Sequence, residues 1–159
     1  MDDRETFVQR YGALFEHSPW VAEDAWASGP FDDREALARG LEHAMYAAPR
    51  DRQLALIRAH PDLAGRAAVE GSLTASSRRE QAAAGLDRLT PQEYETFTRT
   101  NSAYRERFGF PFVVCAREHT KDSILRTAAE RLDHDPEQEI DIALGEIAKI
   151  ARLRLEDLQ

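Results

Sequence analysis

The clearest helix signal in the chain is the stretch TPQEYETFTRTNSAYRERFG, residues 90–109. Thr90 and Glu93 have the spacing of a capping box, and Pro91 stands at the first helical position, where a missing N–H is tolerated. Gly109 is the residue type at which helices commonly end. We therefore predict a helix between Thr90 and Gly109.

Helical patterns continue on both sides of this stretch, because apolar residues recur at spacings of three and four along most of the chain. Further helices are predicted over about 3–16, from Ser18 as N-cap with Pro19 first in the helix to Gly29, after Asp32 or Asp33, over about 51–59, around Glu80 to near Gly85, after Thr120, and from Asp135-Pro136 to about Leu158. The connection from His60 to about Ala75 has room for a turn of helix. The last helix is the longest.

One segment, FPFVVCA at residues 110–116, is short and apolar and has the composition of a strand. The chain offers no second convincing strand to pair with it. We predict a buried extended segment that leads into a helix. The expected architecture is a single all-α domain over residues 1–159, with about eight helices.

Composition places the protein among ordinary globular proteins, with 42% hydrophobic and 31% charged residues. No run approaches the roughly 18 apolar residues of a membrane span, and the acidic beginning MDDRET is unlike a signal peptide. The single cysteine, Cys115, excludes an intrachain disulfide and fits a reducing compartment. We expect a cytoplasmic protein in which Cys115 is a small buried hydrophobe rather than a nucleophile.

Charge narrows the range of partners, because the formal net charge is −8. A nucleic-acid groove needs a basic stripe, which this chain lacks. An anionic substrate must meet specific arginines, since the overall field repels it. The five histidines have no metal-ligand spacing, and there is no phosphate loop or dinucleotide fingerprint. No metal and no cofactor is expected.

The densest set of reactive side chains lies in HPDLAGRAAVEGSLTASSRREQ, residues 60–81. Ser77, Glu80 and Gln81 share one face if their segment is helical. One interpretation is structural: Ser77 and Glu80 form a capping box, on a solvated face opposite Ala83 and Leu86. The functional interpretation requires this face to line a cleft shared with His60.

The tripeptide His60-Pro61-Asp62 has two interpretations besides a catalytic site. It is consistent with a simple helix end. It also marks the J-domain, a helical module that stimulates chaperone ATPases. The flanking segments here, LALIRA and LAGRAA, do not match the basic helix and polar basic loop of that module.

Arg154 falls on the apolar stripe of the last helix, whose members are Leu144, Ile147, Ala151 and Leu158. An inward guanidinium needs an anion, because burying it unpaired is costly. The anion is either a protein carboxylate, with Glu80 the candidate, or a substrate carboxylate held by two parallel hydrogen bonds. Without substrate, Arg154 is expected to pair with Glu80 or to face water in an open cleft. Arg152 is expected to be exposed.

Four separated motifs together resemble one enzyme family. They are HPDLAG at 60–65, SxxEQxxAGLD at 77–87, FxFPFVVC at 108–115 and ALxEIxKIAxLRL at 143–155. The family is the decarboxylase of 2-oxo-4-hydroxy-4-carboxy-5-ureidoimidazoline (OHCU), which acts in the oxidative breakdown of urate to (S)-allantoin.

The resemblance implies an all-α homodimer that needs no cofactor and acts on a small anionic substrate. It implies that His60 is the catalytic proton donor and Glu80 the key carboxylate. Where many members carry a glycine, this chain has Arg117-Glu118-His119, which we expect to tune activity rather than abolish it. The resemblance implies these substrate-binding residues: Pro61, Ser77, Arg78, Arg79, Gln81, Phe112, Val113, Val114, Cys115, Ala116 and Arg154.

Overall fold

The computed structural model describes residues 3–65 and 71–158, and this part of the chain contains no β-strand. Its helices are α1 (Arg4–Tyr11), α2 (Trp20–Ala25), α3 (Arg34–Ala47), α4 (Arg50–Arg58), α5 (Ala75–Ala83), α6 (Pro91–Phe108), α7 (Lys121–Arg131) and α8 (Pro136–Leu158). Short 3-10 helices cover Gly12–Leu14, Trp26–Ser28 and Ala116–Glu118. The predicted all-α class with about eight helices is confirmed. Residues 66–70, in the connection predicted to hold a turn of helix, lie outside the described residues.

Most helix starts follow their capping signals. Thr90 Oγ1 accepts from the Glu93 N–H at 3.1 Å, and Glu93 Oε1 accepts from the Thr90 N–H at 2.8 Å. Gly109 closes α6 in the left-handed region, with φ of 80°. Asp33 caps α3. These starts and stops are local in origin, so sequence patterns identify them.

The predicted cap at Ser18 is wrong. Helix α2 begins at Trp20, and the Ser18 hydroxyl donates to the Glu16 carbonyl at 2.9 Å. The Ser18 hydroxyl therefore stabilises the tight turn before the helix, and it does not cap an N–H group of the first helical turn.

The chain divides into two compact units, one of residues 1–59 and 147–159, the other of residues 60–146. Helix α8 contributes to both, to the second up to Glu146 and to the first from Ile147. No helix in the described residues is long and apolar enough to cross a membrane.

In the first unit, Arg152 was predicted to be exposed, and its side chain is 36% exposed while it takes part in ion pairs that were not predicted. Its guanidinium donates to both carboxylate oxygens of Glu35, at 2.8 and 3.2 Å, and to Glu42 at 2.5 Å. These bonds tie the end of α8 to α3. The hydrogen bond from Arg152 is also the main cause of the lowered pKa of the Glu35 carboxyl.

The apolar stripe of α8 differs from its prediction at the end of the helix. Leu144, Ile147 and Ala151 are buried as expected, but Leu158 is 44% exposed and Leu155 is buried in its place. The stripe therefore ends one turn earlier than a strict repeat predicts, because the last turn leaves the core.

The second unit is built around an ionic cluster that we call the Arg131 cluster: Tyr104, Arg131, His134 and Glu139. Arg131 and Glu139 have side chains 4% and 0% exposed, and their Nε and Oε1 atoms are 2.7 Å apart. Tyr104 donates to the same carboxylate oxygen, and His134 Nδ1 lies 2.7 Å from the other. Burial raises the pKa of the Tyr104 hydroxyl far above its usual range. The buried carboxylate of Glu139 is therefore surrounded by polar hydrogens.

Candidate active site

His60 is buried and stands at the first position after α4 and its C-cap Ala59. Pro61 disfavours helical backbone at His60, which is consistent with the end of α4 just before it. The turn closes with a hydrogen bond from the Gly65 N–H to the Asp62 carbonyl at 3.4 Å. Among the described residues no hydrogen-bond partner reaches the buried Nε2 atom of His60, although the residue has another interaction.

Two buried carboxamides hold the turn that follows His60. Gln81 Oε1 accepts from the Ala64 N–H at 2.9 Å, and its Nε2 donates to the Asp62 carbonyl at 3.4 Å. Asn101 Nδ2 donates to the Leu63 carbonyl at 2.9 Å. These bonds join α5 and α6 to the turn, and they place Gln81, the neighbour of Glu80, beside it.

The face of α5 that carries the SxxEQ motif points inward. Thr74 is the N-cap, with its hydroxyl accepting from the Ser77 N–H at 3.2 Å. The capping-box interpretation of Ser77 and Glu80 is therefore wrong, because both lie inside the helix. Ser77 and Gln81 are buried, so the solvated-face interpretation is wrong for them as well. Glu80 is half-buried.

Arg78 and Arg79, which lie between Ser77 and Glu80 on α5, are exposed. Arg79 Nη2 donates to Ser76 Oγ at 3.4 Å, and Arg78 lines a surface groove together with Gln81 and Tyr94. Both arginines are therefore more exposed than Ser77, which is buried.

Residues 112–116, which we call the wall, are all buried. Residues 112–115 have neither helical nor strand structure, and Ala116 begins the 3-10 helix Ala116–Glu118. The predicted burial of this segment is confirmed, and so is its position directly before a helix, here that 3-10 helix. Its backbone is fixed at two points by side chains: Arg131 Nη1 donates to the Val113 carbonyl at 2.6 Å, and the Cys115 N–H donates to Glu146 Oε1 at 3.0 Å. Helix α5 packs on the 3-10 helix that follows this wall. The structure therefore brings the SxxEQ helix and the wall together.

The Cys115 thiol is kept protonated by its surroundings. Burial raises its pKa to about 11, and the negative charges of Glu118, Glu146 and Glu80 add to the effect. Glu80 is therefore near enough to the wall to act on it electrostatically. A neutral thiol is a poor nucleophile, which agrees with the prediction of a buried hydrophobe.

We expect Cys115 to resist alkylation in the folded protein. With a pKa of about 11, roughly one thiol in a thousand is ionised at pH 8. Iodoacetamide at pH 8 should modify the folded protein at least about tenfold more slowly than the urea-unfolded protein, since the thiolate is the reacting form. Mass spectrometry over time gives both rates. Equal rates would contradict the burial and the raised pKa of this thiol.

Arg154 is described within the first unit, where it is 5% exposed. Its Nη1 lies 3.1 Å from Glu16 Oε1 and 3.4 Å from the carbonyl oxygens of Ala13 and Leu14. The inward orientation is as predicted. The alternative in which Arg154 faces water is wrong, because the residue is buried. Glu16 is a carboxylate partner that the sequence did not predict, and the pairing with Glu80 stays a prediction. A buried guanidinium with a fixed carboxylate has a defined orientation.

Comparison with known proteins decides the family. The model of the OHCU decarboxylase family matches residues 2–156. The chain belongs to the OHCU decarboxylase family. An OHCU decarboxylase of Haloferax volcanii is 45% identical over 153 residues, 96% of this chain and 89% of that protein. The OHCU decarboxylase of Mus musculus is 43% identical over 152 residues, 96% of this chain and 85% of that protein.

Solved structures agree with this assignment. A crystal structure of (S)-allantoin synthase matches with a TM-score of 0.75 and 31% identity, over 99% of this chain and 50% of that chain. This chain therefore spans half the length of that protein. The J-domain alternative for the His60 tripeptide is not supported, since OHCU decarboxylase is the family that matches along the chain.

Sequence reasoning missed four residues whose side chains contact residues of the OHCU decarboxylase motifs: Glu16 in the first unit, and Asn101, Arg131 and Glu146 in the second. Of these four, only Asn101 could have been noticed in the sequence, because it is the single asparagine of the chain and a polar residue in the middle of a predicted helix. In the described ranges, no three His, Cys, Asp or Glu side chains are grouped so as to hold a metal ion.

Proposed function

We propose that this protein decarboxylates OHCU to (S)-allantoin without a cofactor, as a step in the breakdown of urate. The observation that carries the proposal is the match of the OHCU decarboxylase family over residues 2–156. The relative described as (S)-allantoin synthase supports the product. The buried His60 turn, the inward face of α5 and the buried wall provide side chains suited to this chemistry.

The substrate contains its own electron sink, which explains why a few side chains suffice. Its carboxylate is attached to a hydroxyl-bearing carbon next to a C=N bond. When the carbon–carboxylate bond breaks, the electron pair forms a C=C bond and the C=N nitrogen takes up a proton. The resulting enol then loses its hydroxyl proton, while the ureido-bearing carbon gains one. The enzyme must orient the carboxylate and deliver a proton to one face of that carbon.

We assign proton handling to His60 and Glu80. Imidazole exchanges protons near neutral pH, and a positioned acid–base group contributes a large factor to such a step. Glu80 is half-buried next to Gln81, which contacts the turn after His60. Burial of the surrounding groups strengthens the electrostatic effect of both residues on the developing charge.

Substrate binding is assigned to the inward face of α5 and to the wall. Ser77 and Gln81 are buried polar groups of α5, and the family pattern adds its exposed neighbours Arg78 and Arg79. Pro61 and the wall residues Phe112, Val113, Val114, Cys115 and Ala116 supply apolar contact and backbone groups. Arg154, oriented by Glu16, is proposed to bind the substrate carboxylate.

Arg154→Lys should lower kcat/KM by roughly 5- to 150-fold, since about 1–3 kcal/mol of charge-assisted hydrogen bonding is lost with the planar two-pronged donor. Arg152→Lys is unsuitable as a control, because Arg152 ties α8 to α3 through Glu35 and Glu42. Lys149→Arg, at an exposed position of α8, is the matched control and should be near neutral. Steady-state kinetics and thermal melting of both variants test this. Loss of folding in Arg154→Lys, with normal turnover of the remaining folded protein, would contradict the assignment.

We also propose a cytoplasmic homodimer. The family resemblance supports the dimer, and the single buried cysteine suits a reducing compartment. Light scattering at micromolar concentration should give twice the 18.0 kDa chain mass. A clean monomer under the same conditions would refute the dimer.

The reaction itself is tested with substrate freshly generated from urate and labelled with ¹³C in the carboxylate. With enzyme and a metal chelator present, NMR should show loss of the labelled carboxylate and appearance of labelled carbon dioxide and bicarbonate well above the spontaneous rate. Label release at the spontaneous rate, with folded wild-type protein, would refute the proposed function.

A further inference from the structure

We propose that the buried carboxamides of Asn101 and Gln81 are positioning groups that lock the turn after His60 and so fix the imidazole for catalysis. The inference rests on the proposed function. It adds Asn101, a residue outside the four family motifs, to the machinery of the reaction. It also gives Gln81 a role through the backbone, in addition to any contact with substrate.

The two carboxamides approach the turn from different helices. Asn101 on α6 donates to the Leu63 carbonyl at 2.9 Å, and Gln81 on α5 accepts from the Ala64 N–H at 2.9 Å. Both side chains and both backbone residues are buried. Each bond is therefore shielded from water, and its loss leaves a buried backbone group without its partner. The turn is clamped on successive residues from two sides.

The backbone conformation of Ala64 explains why the turn needs the two hydrogen bonds, which we call the clamp. Ala64 has φ of 55°, in the left-handed region that a Cβ disfavours. A turn with this strain persists only where its surroundings enforce it. The bond from the Ala64 N–H to Gln81 acts on the strained residue itself, and the bond from Asn101 acts on the carbonyl just before it.

The connection from the clamp to His60 is short and stiff. Pro61 fixes one backbone dihedral between His60 and Asp62. The Asp62 carbonyl is itself held by Gln81 Nε2 at 3.4 Å and by the Gly65 N–H at 3.4 Å. A shift of the turn therefore moves His60, and small misplacements of a reacting group cost much catalysis.

A third contact provides a matched control. Arg105, also on α6, contacts the Asp62 carboxylate at 3.2 Å, but its side chain is half exposed. Exposed ion pairs contribute little to holding a backbone. Arg105→Gln removes a contact to the same turn from the solvent side, and it should leave kcat within about twofold of the wild type.

The kinetic test uses near-isosteric variants, Asn101→Leu and Gln81→Met. Each should lower kcat about tenfold or more, the scale of a modest misplacement of a reacting group, with KM changed less than about threefold. A purely structural role would lower the melting temperature while the folded fraction keeps its wild-type kcat. A pure substrate contact of Gln81 would raise KM instead.

A second substitution makes the inference sharper. Glycine adopts the left-handed region without cost, so Ala64→Gly removes the strain that the clamp opposes. Combined with Asn101→Leu or Gln81→Met, it should restore kcat at least about threefold relative to the single variant. No recovery in either double variant would overturn the strained-turn explanation.

A measurement independent of turnover separates this inference from the proposed function. The ring resonances of His60, assigned through its loss in His60→Gln, should shift or broaden in Asn101→Leu and Gln81→Met but not in Arg105→Gln. Unchanged ring resonances in the first two variants would overturn the inference, even with an active enzyme. If the resonances change in these two variants but the wild-type protein fails to release labelled carboxylate, the proposed function is rejected and the positioning role of Asn101 and Gln81 stands.

Discussion

Replacing His60 by alanine should lower kcat by about 10²-fold or more, the usual contribution of a positioned acid–base group. The residue is buried and directly precedes the turn that Gln81 and Asn101 contact. Glutamine at this position fills similar space and makes hydrogen bonds, but it transfers no proton near neutral pH. His60→Gln should therefore be as inactive as His60→Ala, with thermal stability close to that of the wild type.

The control for this prediction is another histidine. His43 is exposed on α3, and His43→Ala should keep normal turnover and stability. Stopped-flow or steady-state rates on freshly generated substrate, with melting curves for each variant, provide the comparison. Turnover of His60→Gln within about tenfold of the wild type would show that His60 does not carry the proton transfer.

The second large effect is expected in the Arg131 cluster. Arg131→Met leaves the Glu139 carboxylate, 0% exposed, without its guanidinium partner. Removing one member of a buried ion pair costs about 3–5 kcal/mol of unfolding free energy, because the remaining charge is uncompensated. The same change frees the Val113 carbonyl, so the wall loses one of its two side-chain anchors. Urea unfolding should show the loss in stability.

An ion pair on α6 is the matched control. Arg99 and Glu95 are in contact at 3.2 Å, but their side chains are 69% and 68% exposed. Arg99→Met should change the unfolding free energy by about 0.5 kcal/mol or less. The double variant Arg131→Met/Glu139→Leu should recover part of the loss, since no buried charge remains at that pair. Equal small effects of Arg131→Met and Arg99→Met would contradict the described burial of the cluster.

The parts of the fold that follow from neighbouring residues were predictable. Thr90 with Glu93, Thr120 as a cap, and Gly109 as a helix end depend on residues within one turn, and the structure has all of them. The wall was predictable as extended and buried because it is apolar and no partner strand was evident. The inward orientation of Arg154 followed from helical periodicity alone.

The parts that depend on distant residues were not predictable. Arg154 has a carboxylate from Glu16, far away in the chain, and no local pattern selects that residue from 29 acidic ones. Asn101 meets the Leu63 carbonyl across 38 positions. Helical periodicity predicts that a polar side chain points inward, but it does not predict which group that side chain will contact.

The start of α5 was predicted wrongly for a different reason, because two nearby residues carry similar N-cap signals. Thr74 and Ser77 are both good N-cap residues three positions apart, and Glu80 completes a capping box only with Ser77. The structure starts the helix after Thr74, which turns Ser77 and Gln81 inward. Tertiary burial and the bonds from Gln81 to the turn decide between two caps that are locally similar.

The stereochemistry of the product tests the central claim most directly. Freshly generated OHCU is converted with and without the protein, and circular dichroism of the allantoin is followed over time. The account predicts a dichroic signal of the (S)-enantiomer that grows faster than spontaneous decay, because one face of the ureido-bearing carbon is protonated in a fixed site. Racemic allantoin, formed at the uncatalysed rate in the presence of folded protein, would contradict it.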